Sequence, residues 1–122
     1  MFSERLLDHF QNPRHVGELA PPAAVVVEVS NPACGDIMRL SVRFEADRVA
    51  EVAYKTKGCT ASIATGSATA EWLFGRTRAE LAAVKAVDLE AAVGGLSPES
   101  KHAAVLCVDS IRAVLARTSV AA

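Results

Sequence analysis

The chain has 122 residues, 51% of them apolar, 22% charged and 5% aromatic, with a formal net charge of −1. That length supports a core without staples, while near-neutrality and few aromatics exclude a basic, base-stacking nucleic-acid surface. No apolar run approaches the roughly 18 residues of a membrane-spanning helix, the N-terminus lacks a signal peptide's apolar centre, and three cysteines do not make a disulfide framework, so a reduced, cytoplasmic protein is expected.

SERLLDHF reads as a short amphipathic helix capped by Ser3, with Leu6, Leu7 and Phe10 on one side. Pro13, Gly17 and the PP pair at 21 and 22 keep the next segment irregular. VVVEV at 25–29 is β-branched and predicts a first strand. In the second, Met38, Leu40, Val42 and Phe44 alternate with Arg39, Ser41, Arg43 and Glu45, the period of a half-buried antiparallel strand. EADR at 45–48 turns the chain into VAEVAYKTK, a third strand with Ala50, Val52 and Tyr54 on one face.

After Gly58 the residues become small: CTASIATGSATAEWLFG predicts a helix packed closely against something and ending at Gly75. Thr77 and Glu80 form a capping box for TRAELAAVKAV, and GG at 94 and 95 stops the short DLEAAV segment. Ser97, Pro98 and Glu99 supply cap, N1 proline and first-turn acid for a last helix through about Arg117. Strands first and helices afterwards predict an α+β fold: a three-stranded antiparallel sheet with helices packed on one face, as a single domain over residues 1–122.

Some residues in this frame could carry chemistry. Cys34 and Asp36, in NPACGD, are two apart at a strand entrance, so thiolate and carboxylate can face one ion. Cys59 begins a helix, where free amides and the helix dipole favour a thiolate. A small cysteine at a tight turn would look the same. His102 lies in the first turns of the last helix and, on the residues alone, reads as a surface histidine. Cys107, five residues on, is rotated by about 140° and lies about 7 Å further along the axis, so the two do not share an ion, and VLCV reads as core. His9 and His15, flanking the NPR turn, read as surface or packing histidines.

MFSERLLDHFQNPRHVGEL, NPACGD, YKTKGCTASIATGSATAEWLFGRT and the last helix with its histidine and DSIRA together resemble the U-type iron–sulfur cluster assembly scaffolds, the IscU and NifU N-terminal domain group. The resemblance covers essentially the whole chain, with separate motifs in the family's order and spacing. It implies the α+β fold described above. It also implies a scaffold that builds a labile [2Fe-2S] cluster and passes it to recipient apoproteins. Sulfur would come from a cysteine desulfurase and iron from a donor, and Zn(II) can occupy the same site. Carried over residue by residue, it places the ligands at Cys34, Asp36, Cys59 and His102.

The chain departs from the family pattern in places. The residue after the histidine, commonly a sulfur-accepting cysteine, is Ala103, and the family's chaperone-binding segment is replaced by LSPES at 96–100. The expectation is therefore a binding protein rather than a turnover enzyme, with iron, desulfurase and apoproteins as partners and no nucleic acid or membrane. The alternative is a zinc-binding accessory or modulator of a desulfurase, with de novo assembly lost at Ala103.

Overall fold

The computed structural model describes residues 2–32 and 35–120. The element order is α1 (Glu4–Gln11), β1 (Val25–Ser30), β2 (Ile37–Glu45), β3 (Arg48–Lys57), α2 (Thr60–Leu73), α3 (Arg78–Ala83), α4 (Ala86–Ala92), a 3₁₀ turn (Pro98–Ser100) and α5 (His102–Val120). The strands form an antiparallel sheet in the order β1-β2-β3, as the alternation in the sequence predicts. No helix among the described residues is long and apolar enough to cross a membrane.

The sheet has one apolar face and one charged face. Met38, Leu40 and Val42 are fully buried and join Val52 and Tyr54 of β3 in the main core, together with Leu106, Ile111 and Val114 of α5. On the opposite face Ser41 and Ala53 pair across the strands and are buried beneath longer side chains. Arg39 there bonds to Glu18 and Glu28, and Arg43 to Glu45 and Glu51. Arg39 and Arg43 thus flank this small-residue strip on β2 and pair with acidic side chains on the same face.

The β2–β3 hairpin turns through Ala46 and Asp47, both at positive φ (50° and 68°), the two-residue geometry whose twist matches antiparallel strands. A bulge between Arg43 and Phe44 shifts the register, so that Phe44 opposes Val49 and Arg43 opposes Glu51. Val49 therefore turns into the core and Ala50 is left half-buried, which corrects the expected face of Ala50, Val52 and Tyr54 at its first member.

Alpha-helix α2 is surrounded. It packs on β3, α1, α4 and α5. Ten of its residues are buried, from Ala61 to Leu73, so there is no polar face and no helical periodicity to read. Small side chains are what this position demands. A Cβ at Gly66 would lie 2.7 Å from the Tyr54 ring and 3.0 Å from Thr56 Oγ1, so α2 reaches β3 only because Gly66 has none.

The helix α1 is capped by Ser3 as expected, but its buried side is Leu6 and His9 rather than Leu6, Leu7 and Phe10. Leu6 packs with Ala64, Ala68 and Val93. The His9 Nδ1 lies 2.8 Å from Ser67 Oγ, which also accepts the Arg14 backbone N–H. Burial, aided by the Arg14 charge, pushes the His9 pKa down. His9 is a packing histidine, and His15 stacks on Phe74.

Two helix boundaries also differ from expectation. TRAELAAVKAV is interrupted at Val84 and Lys85, whose extended backbone caps α4 in place of a continuous helix. Ser97-Pro98-Glu99 starts only a 3₁₀ turn, and the α-helix proper begins at His102.

Gly66→Val should lower stability by about 1–3 kcal/mol, the usual range for overpacking a filled core. Urea denaturation checks this, and an unchanged midpoint would contradict the close approach of α2 to Tyr54.

Candidate metal centre

Three elements end at one place. The segment before β2 folds back on itself, with the Asn31 N–H donating to the Asp36 carbonyl at 2.8 Å and the Gly35 N–H to the Asn31 carbonyl at 2.7 Å. This sets Asp36 at the mouth of β2, 7% exposed. Beside it, Cys59 is the N-cap of α2, with extended backbone and no side-chain capping bond. His102 is the first residue of α5.

Their side chains converge. Asp36 Oδ2 lies 3.5 Å from Cys59 Sγ and 3.4 Å from His102 Nε2, and Cys59 Sγ lies 3.6 Å from His102 Nε2. An ion held by sulfur at about 2.3 Å and by nitrogen and oxygen at about 2.0–2.2 Å spaces tetrahedral donors about 3.4–3.6 Å apart. The three distances are the edges of such a tetrahedron. Among the described residues, Asp36, Cys59 and His102 form a group of donors that could hold a metal ion. The expected fourth member, Cys34, lies outside the described residues.

The surroundings orient each donor. The His102 Nδ1 is 3.1 Å from the Glu99 carbonyl oxygen, which can only accept. Nδ1 therefore carries the proton in the neutral ring, and Nε2 turns its lone pair toward Asp36 and Cys59. The carboxylate of Asp36 rests against Gly58, where an added Cβ would fall 2.5–2.8 Å from its carbon and both oxygens. Cys59 is exposed, so the centre opens to solvent on the thiol side.

The sequence does not single out Ser62, Gly58 or the Glu99 carbonyl. Ser62 Oγ donates to Asp36 Oδ2 and lies 3.5 Å from Cys59 Sγ. The spacing Cys-x-x-Ser at a helix start, which places a hydroxyl one turn in from the cap, was the available signal. Ala103, next to His102, is fully buried.

Cys107 is 1% exposed and belongs to the main core. Burial pushes its thiol up to about 12, against a smaller downward effect of the Thr69 hydroxyl. It is a core cysteine, as its place in VLCV implies.

The NifU-like N-terminal domain family model matches residues 1–119. The chain belongs to that family. It is 37% identical over 112 residues to iron-sulfur cluster assembly scaffold protein IscU 1 of Archaeoglobus fulgidus, covering 92% of this chain and 72% of the relative. It is 36% identical over 118 residues to the iron-sulfur cluster assembly scaffold protein IscU of Escherichia coli K12, covering 94% and 91%. Among solved structures, a nitrogen-fixing NifU-like protein (N-terminal) from Brucella abortus superposes with a TM-score of 0.62 at 27% identity, covering 94% of this chain and 80% of that one. A candidate scaffold of the SUF system from Fervidobacterium islandicum superposes with a TM-score of 0.74 at 21% identity over 93% and 96%, a likeness of fold.

At about pH 8, iodoacetamide should modify Cys59 in the folded protein and leave Cys107 untouched, because a buried neutral thiol is neither accessible nor a nucleophile. Peptide mass mapping checks this, and labelling of Cys107 before unfolding would contradict its place in the core.

Proposed function

We propose that the protein is an iron–sulfur cluster assembly scaffold that holds a labile [2Fe-2S] cluster and releases it to apoproteins. The observation that carries this reading is the convergence of Asp36 Oδ2, Cys59 Sγ and His102 Nε2 at 3.4–3.6 Å, at an opening to solvent. The IscU relatives, scaffolds by name, support it. Cys34 is the fourth donor in this reading, two residues before Asp36 in the sequence.

The iron and sulfide are cargo. Two thiolates, one imidazole and one carboxylate suffice for a cluster that needs two protein donors per iron. A carboxylate is a harder donor than a thiolate, and replacing one by the other weakens the hold on soft iron–sulfide centres. That suits a protein that must give its cargo up. Zn(II), by contrast, accepts sulfur, nitrogen and oxygen together in tetrahedral sites, so the same residues also fit zinc.

Sulfur acceptance from a cysteine desulfurase falls, in this reading, to the thiolates at the centre, since Ala103 offers none. Ala103 motivates the accessory or modulator alternative, but the names of the relatives favour assembly.

Anaerobic incubation with ferric iron and sulfide should give near-equal bound iron and acid-labile sulfide with visible absorption. Cys59→Ser and Cys34→Ser should each lose most of both. Iron and sulfide bound only by an Ala103→Cys variant would contradict the reading for the natural chain.

A further inference from the structure

Among the described residues, one oxygen at the centre meets a group besides the metal donors. Asp36 Oδ2 faces Cys59 Sγ and His102 Nε2, and it is also the oxygen that accepts the Ser62 hydroxyl. Ser62 is 1% exposed and stands in the first turn of α2, 26 residues from Asp36 in sequence. The hydrogen bond therefore ties the mouth of β2 to the start of α2, the two elements whose separation decides whether Asp36 and Cys59 can share an ion.

We propose that Ser62 is a positioning residue that holds Asp36 Oδ2 toward Cys59 and His102 and thereby sets how tightly the centre binds a metal. The inference rests on the reading of these residues as a metal centre. A carboxylate oxygen has more than one lone pair, so Oδ2 can accept the Ser62 proton and still face an ion. Gly58 limits the carboxylate from one side, where there is no room for a Cβ, and Ser62 fixes which oxygen points inward. Without the hydroxyl, rotation about the terminal carboxylate bond is broad and roughly two-fold, and the donor geometry must be bought from ion binding. Hydrogen bonds of this kind to metal-ligating groups are worth about 10–100-fold in metal affinity.

A second role is open to a buried serine: filling space at the start of α2. The two roles separate experimentally. Zn(II) affinity is measured on the full chain by competition with a chromophoric chelator, for the unaltered protein and for Ser62→Ala, Ser62→Thr, Asp36→Ala and the double variant Asp36→Ala with Ser62→Ala. Positioning predicts that Ser62→Ala weakens Zn(II) binding by about 10–100-fold, that Ser62→Thr restores most of it, and that Ser62→Ala has no further effect once Asp36 is gone. Urea midpoints of the same variants show whether each is folded, and Ser62→Thr keeps the hydroxyl if alanine does not fold. Unchanged affinity in Ser62→Ala overturns the inference and leaves the centre standing. So does equal weakening with and without Asp36, which marks a packing role. Absence of Zn(II) binding in the unaltered protein overturns the centre itself, and this inference with it.

Discussion

The close approach of α2 to the sheet is the constraint on which the rest depends. A helix with larger side chains at the contact would have to stand further from the sheet. Here Gly66 faces the Tyr54 ring with no Cβ between them, and Gly58 faces the Asp36 carboxylate in the same way. The two glycines act at different ends of one contact. Gly66 brings the middle of α2 onto β3, and Gly58 lets the strand-to-helix junction pass directly over the mouth of β2. Cys59 then caps α2 within hydrogen-bonding range of Asp36.

The small residues that make this approach workable also make α2 unreadable as an amphipathic helix. It packs against β3, α1, α4 and α5 and leaves Glu71 exposed, with hydroxyls such as those of Thr65, Ser67 and Thr69 buried. The third wall of the centre comes from α5, whose start is delayed by the 3₁₀ turn at Pro98–Ser100. That turn places the Glu99 carbonyl against His102 Nδ1 and so fixes the face that Nε2 presents. Sulfur, oxygen and nitrogen donors thus arrive from three elements, with Asp36 buried and Cys59 open to solvent. In the proposed reading, cargo enters and leaves on the exposed thiol side, opposite the buried carboxylate.

Much of this was legible in the sequence. The strict alternation in β2, the turn at 45–48 and the Thr77–Glu80 capping box each belong to local rules that the tertiary structure did not override. The bulge at Arg43–Phe44 was not legible, because it is set by how the hairpin twists against Phe44 and Val49 rather than by any single residue. The buried side of α1 differs from expectation because α1 docks on α2 through Leu6 and His9, whose ring is satisfied by Ser67, which leaves Leu7 and Phe10 partly exposed. Asp36 and Cys59 carried signals at a strand mouth and a helix start, whereas His102 read as a surface histidine until the family resemblance placed it among the ligands. Ser62 did not stand out, since its role exists only once α2 is seated beside β2.

The central claim is that these side chains form one centre of mixed donors. X-ray absorption spectroscopy of the Zn(II)-loaded protein tests it most directly. The account predicts two sulfur scatterers at about 2.3 Å and two nitrogen or oxygen scatterers at about 2.0–2.2 Å. A first shell of nitrogen and oxygen alone, or one with three or more sulfurs, would contradict it.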